Sequence, residues 1–103
     1  MSEYVVVLCT APLCGSEKIA RAVVEEGLAA CVNISPVRSV FRWEGKVSDE
    51  REEMMLIKTE RRLLDRLQAR IKELHSYQVP EIIAIPILEG EGRYLQWISD
   101  SVG

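Results

Sequence analysis

Apolar and polar positions along this chain follow two different periods, and the switches between them mark its elements. Tyr4-Val5-Val6-Val7-Leu8-Cys9-Thr10 is apolar at successive positions, so a strand there needs cover on both faces, as a central strand has. Pro12 and Gly15 break that run. Ser16 is placed to cap a helix by accepting a hydrogen bond from an otherwise orphaned backbone N–H, and Glu17 suits the positive end of its dipole. Ile19, Ala20, Val23 and Val24 recur at helical spacing as far as Gly27, a left-handed stop. Leu28 to Ile34 reads as a second core strand, and Ser35-Pro36 as a bend. Beyond it, Val37, Ser39, Phe41 and Trp43 share one face, Glu44-Gly45-Lys46 is a turn, and Met54 to Lys58 resumes an apolar strand. A long hairpin with a charged tip is therefore expected over 37–58.

Leu63, Leu64, Leu67, Ile71 and Leu74 form the stripe of a helix over about 60–74, with Arg61, Arg62, Asp65, Arg66, Arg70 and Lys72 off or beside it. Val79-Pro80 disfavours helix at Val79, so that helix must end by about His75. Ile82-Ile83-Ala84-Ile85 is too short for a helix and rich in β-branched residues, which predicts a buried strand. The polar stretch from His75 to Gln78 then sits in a loop at the mouth of a core strand, where ligand groups are often placed. Glu89-Gly90-Glu91-Gly92 turns into a last helix over 93–101. The order β-α-β-β-α-β-α, with two βαβ units, describes a ferredoxin-like α+β sandwich: an antiparallel sheet with a long central hairpin, two helices on one face, and an additional C-terminal helix. One sheet face then has no cover of its own although the strands are apolar on both faces, which predicts a homo-oligomer.

Composition narrows the classes. At 103 residues the chain suits one domain, and 48% hydrophobic residues exclude a disordered polymer. A formal net charge of -3 offers no basic excess to release counterions, so nucleic acid is not an expected partner. Met1-Ser2-Glu3-Tyr4 and the short valine run after it carry no basic leader region and no long apolar span, so neither secretion nor a membrane is expected. Cys9, Cys14 and Cys31 are odd in number and lack CxxC spacing, against a disulfide framework or a closed structural zinc site. A soluble, cytoplasmic protein is the expectation.

Four segments, in this order and spacing, carry a family resemblance: Ala29-Ala30-Cys31-Val32-Asn33-Ile34, Trp43-Glu44-Gly45, Lys58-Thr59 and Val79-Pro80-Glu81-Ile82. Together they resemble the CutA family of divalent-cation tolerance proteins over essentially the whole chain. The resemblance implies a ferredoxin-like fold, a homotrimer closed through sheet edges, a cytoplasmic setting in bacteria or archaea, and an architecture similar to that of the PII signalling proteins. Family members are linked to tolerance of copper and other divalent cations, and eukaryotic relatives to acetylcholinesterase assembly; no reaction is implied. Carried over, the family's suggested copper ligands fall on Cys9 and His75. Positions that hold a second histidine and a third cysteine in some members are Leu74 and Arg70 here, and the usual His-Pro-Tyr is His75-Ser76-Tyr77.

Cys9 with His75 pairs a soft thiolate and an imidazole, which suits Cu(II) or another divalent cation. The bland alternative makes Cys9 a small buried hydrophobe and His75 a favourable charge at a helix C-terminus. Cys31 in an apolar strand reads as structural, and Cys14 beside Gly15 as the exposed, oxidisable thiol. The acidic run Asp49, Glu50, Glu52 and Glu53 offers carboxylate oxygens to hard divalent cations, though without the spacing of a calcium loop, and reads rather as a solvated edge protected by charge. Trp43, Lys58, Tyr77 and Glu81 are candidates to line a cleft between subunits, with Lys58 offering charge to an anion and the aromatics a wall, unless they serve interface packing and a Lys58–Glu81 ion pair. No Gly-rich phosphate loop, Ser-His-Asp set or paired-carboxylate spacing points to an enzyme, and no organic cofactor is expected.

Overall fold

The computed structural model describes residues 3–103, so Met1 and Ser2, on which the reading of the chain start rests in part, lie outside the described residues. Seven elements follow in order: β1 (Tyr4–Pro12), α1 (Ser16–Glu25), β2 (Cys31–Trp43), β3 (Lys46–Glu60), α2 (Leu64–Leu74), β4 (Ile83–Pro86) and α3 (Gly92–Ser101). A 3-10 turn over Arg61–Leu63 leads into α2. The strands form one antiparallel sheet in the order β2-β3-β1-β4, the ferredoxin-like arrangement that the element order predicts.

Register explains the core. Val5, Val7, Cys9 and Ala11 of β1 pair beside Thr59, Ile57, Met55 and Glu53 of β3, so alternate residues of both strands share one face. The first four and Met55, Ile57 and Thr59 are buried, packed under Ile19 and Val23 of α1 and Leu67 and Ile71 of α2. The helical stripes were set by those apolar positions. α1 stops at Gly27, whose φ of +73° lets Gly27 N–H reach the Val24 carbonyl at 3.1 Å and Leu28 N–H the Val23 carbonyl at 2.9 Å, closing two carbonyls of the last turn.

Two local expectations change. The second strand and the first arm of the hairpin are one strand: β2 runs straight through Pro36, which pairs with Glu53. Since β2 is an edge strand, a proline without an N–H is tolerated there and no bend is needed. Leu28 to Ala30 instead form the connection, with Ala30 N–H on the Lys58 carbonyl at 2.9 Å. Ser16 is not the cap acceptor either. Gly15 holds the cap position, and the Ser16 hydroxyl donates to the Glu53 carboxylate, which also accepts the Ser16 backbone N–H at 3.3 Å. A carboxylate from β3 thus caps α1 from outside the helix.

The second face of the sheet is partly covered by α3. Tyr4, Lys58, Glu60 and Cys31 point there by register. The Tyr4 hydroxyl lies 2.7 Å from Ser99 Oγ, which donates to Glu60 at 2.7 Å, and Ile98 is fully buried. Away from α3 that face stays open, with Ile83 and Ile85 of β4 exposed. Beyond the Pro12–Glu52 pair, β2 and β3 continue as a two-stranded arm to the turn at Glu44 and Gly45.

Candidate functional site

β4 pairs with β1 only from Val5 to Leu8, which leaves the edge of β1 bare from Cys9 to Pro12. The loop after α2 fills that gap. His75, the residue that ends α2, turns extended, and its ring is buried at 9% exposure. Its Nδ1 accepts the Tyr77 backbone N–H at 3.0 Å, so the proton must sit on Nε2, which donates to the Thr10 carbonyl at 2.7 Å. His75 therefore does for the edge of β1 what a further strand residue would do. The Tyr77 ring stacks at a tilt on His75, centroids 4.8 Å apart, and its hydroxyl donates to Glu52 at 2.6 Å. Burial first, then the Glu52 contact, pushes the Tyr77 phenol well above its usual value.

Glu52 is therefore not part of a solvated acidic edge. It is 5% exposed and holds Tyr77, while Glu53 caps α1, its carboxyl held below the usual range chiefly by the Ser16 hydroxyl. Asp49 is tied to Arg38 through two hydrogen bonds at 2.6 and 2.9 Å. Pattern alone missed Glu52 because its partner lies 25 residues away.

Cys9 is fully buried on the helix-facing side of β1, and its thiol makes only a weak contact with the Thr10 carbonyl at 3.8 Å. Burial, with a contribution from the Glu81 charge, pushes that thiol up to about 12. A metal needs the thiolate and an imidazole lone pair. Both ring nitrogens of His75 are engaged, so a divalent ion at this pair would have to break one of those hydrogen bonds as well as displace the thiol proton. Among the described residues no group of three or more His, Cys, Asp or Glu side chains is placed to hold a metal.

Trp43, Lys58, Tyr77 and Glu81 are not brought together within one chain. Trp43 is exposed at the tip of the arm opposite Lys46, roughly 40 Å along β3 from Lys58 at strand spacing. Tyr77 is committed to Glu52. The Lys58 ammonium donates to the Asn33 side-chain oxygen and lies 4.0 Å from Cys31 Sγ, and among the described residues it enters no ion pair, with Glu81 or any other carboxylate. An open groove of about 460 Å³ runs beside the loop, between Gln68 and Lys72 of α2 and Tyr77, Gln78, Val79 and Pro80.

Residues 5–101 match the family described as CutA1 divalent ion tolerance protein. The chain belongs to the CutA1 family. It is 48% identical over 103 residues to the divalent-cation tolerance protein CutA of Thermus thermophilus, covering 95% of this chain and 97% of that one. It is also 48% identical over 86 residues to the chloroplastic protein CutA of Arabidopsis thaliana, covering 82% of this chain and 47% of that longer relative. Among solved structures, the periplasmic divalent cation tolerance protein CutA of Archaeoglobus fulgidus superposes with a TM-score of 0.94 at 40% identity, covering 97% of this chain and 99% of that one. CutA1 of Oryza sativa reaches 0.95 at 43% identity, covering 99% and 95% respectively. These relatives carry both chloroplastic and periplasmic descriptions, so family membership does not settle a compartment. No helix among the described residues is long and apolar enough to cross a membrane.

Proposed function

We propose that this CutA1-family chain acts in divalent-cation tolerance as a cytoplasmic homotrimer that takes up copper, or another divalent cation, through donors set free or completed by neighbouring copies. The observation that carries the assembly is the distribution of exposed apolar side chains. Val40 and Val47 on the arm are 66% and 67% exposed, and Phe41, Trp43, Ile83 and Ile85 are exposed too, at both ends of a sheet whose second face α3 only partly covers. Such surface is stabilised by burial at about 25 cal/mol per Å², and a closed ring of copies hides it without leaving an edge to polymerise. Cys9 and His75 remain the soft donors of this reading, on the condition that His75 lets go of Thr10 or Tyr77 and Cys9 loses its proton.

Native mass spectrometry with Cu, Zn, Ni, Co or Mg added singly tests both halves. A trimer that takes copper at a fixed number per chain, and loses it in both Cys9→Ala and His75→Ala, is the expected result. A monomer refutes the assembly; unchanged uptake in both variants refutes the ligands.

A second reading, a PII-like sensor, rests on Lys58. Among the described residues its ammonium has no carboxylate partner and is held by Asn33, so its charge is available to an anionic metabolite in a cleft between copies, where Trp43, Tyr77 and Glu81 would come from more than one chain. A thermal-shift panel of anionic metabolites should then yield a stabiliser whose effect Lys58→Ala removes, and a panel with no hit argues against this reading.

A further inference from the structure

Cys31 and Lys58 are directly opposite one another in the β2–β3 ladder, and both side chains point to the face that α3 partly covers. Opposed residues on one face of an antiparallel pair have Cβ atoms about 4.5–5.5 Å apart, and here the ammonium nitrogen stands 4.0 Å from Sγ. Tyr94 of α3 lies near enough to Cys31 for the thiol to help raise its phenol, after burial. Cys31 is only partly buried, unlike Cys9. Among the described residues no second thiol is in reach. Cys9 faces the opposite side of the sheet, and Cys14 follows the Pro12–Glu52 pair, roughly 20 Å along β3 from Lys58. The amine of Lys58, 4.0 Å away, is in reach of Cys31.

We propose that Cys31 is a site of reversible oxidation by hydroperoxides, resolved by Lys58 rather than by a thiol. In the first step the sulfur attacks the distal peroxide oxygen; an S–O bond forms, the O–O bond breaks, and the peroxide is reduced by two electrons to water or an alcohol. Cys31 becomes a sulfenic acid. In the second step Lys58, as the free amine after its ammonium has given a proton to water, attacks that sulfur. An S–N bond forms, the S–O bond breaks, and the hydroxyl leaves with the amine proton as water. The product is a sulfenamide that ties β2 to β3 at the root of the arm and removes the one cationic charge in this cluster. A small thiol reverses it by attacking sulfur and returning the amine, after which a second thiol restores Cys31.

The test uses the full-length protein, reduced and then exposed to limiting hydrogen peroxide, followed by intact-mass measurement and peptide mapping without reductant. The expected product is lighter than the reduced protein by two hydrogens, carries a Cys31–Lys58 cross-linked peptide, and reverts with dithiothreitol. In Lys58→Arg, which keeps the charge but offers no condensing amine, that cross-link should vanish and dimedone labelling at Cys31 should rise severalfold; Cys31→Ser should show neither. Circular dichroism of each variant separates loss of chemistry from loss of fold. Equal dimedone labelling of Cys31 in wild type and Lys58→Arg, a disulfide between copies, a link that retains oxygen, or oxidation confined to Cys14 would each overturn the proposal.

Discussion

Replacing His75 with alanine separates a structural pin from a metal ligand more cleanly than any other single change. The substitution orphans two backbone groups, the Thr10 carbonyl and the Tyr77 N–H, each now satisfied by one ring nitrogen at 2.7 and 3.0 Å. A buried group left without its partner costs about 1–3 kcal/mol. The carbonyl is at a buried contact and the Tyr77 N–H at a partly buried one, and water entering the space left by the ring offsets part of the loss, so we expect a decrease of roughly 2–4 kcal/mol. That is a large share of the 5–15 kcal/mol typical of a domain. The assay is urea unfolding followed by circular dichroism, in chelator, with wild type and variant at matched protein concentration. A double-mutant cycle sharpens it. Tyr77→Phe removes only the hydroxyl that holds Glu52, and because His75 positions the Tyr77 backbone, that second change should cost less once His75 is gone, with a coupling of roughly 0.5–3 kcal/mol. A loss below about 1 kcal/mol for His75→Ala, or strict additivity in the cycle, would refute the pin and return His75 to the list of free donors.

Other expectations follow from the same geometry. Leu67→Ala empties a fully buried site between α2 and the sheet and should cost about 2–5 kcal/mol in chemical denaturation; well under 1 kcal/mol would show that α2 is not a core layer. Glu53 has a carboxyl lowered below its usual value, chiefly by the Ser16 hydroxyl, so its contribution is complete above the ordinary carboxylate range and is lost as pH falls through the lowered value. The stability gap between wild type and Glu53→Gln should accordingly close as pH is taken from neutral to about 3, and a gap that stays constant would exclude the cap. Gly27→Ala places a side chain at φ +73° and should lower stability by about 1–2 kcal/mol, read as a lower melting temperature; an unchanged melt would mean that the turn relaxes. In native alkylation, exposed Cys14 should label quickly and Cys9, buried with its thiol pushed up to about 12, only after unfolding; early labelling of Cys9 would undo the argument about its proton.

Much of the architecture is legible in local pattern because local pattern is what decides it. The stripes of Ile19 and Val23, and of Leu67 and Ile71, can be buried in only one way, and the doubly apolar β1 does sit between two neighbours. Reading Pro36 as a bend fails because an edge position, where its missing N–H costs nothing, is a property of the sheet order and not of the tripeptide around it. Glu53 takes the cap role expected of Ser16 for the same reason: the better acceptor arrives from 37 residues away. The loop from His75 stands out by its composition, yet the partner that defines it, the Thr10 carbonyl, is 65 residues distant and belongs to the backbone, which no side-chain motif can announce. Chemistry inferred from residue type alone, such as a soft ligand pair at Cys9 and His75, is therefore most exposed to correction by groups the motif does not contain.

The two-stranded arm beyond the Pro12–Glu52 pair has a kinetic consequence. Among the described residues no third strand supports it, and a lone hairpin is marginal in water. Its amides should therefore exchange with solvent through local opening in the free chain, while those of Val5 to Leu8 wait for global unfolding. When copies associate, burial of Val40, Phe41, Trp43 and Val47 would slow exchange in the arm alone, and the degree of slowing would track how much of the protein is assembled. Order in the arm is in that sense set by mass action, and the last part of this fold to become rigid is the part that reaches outward.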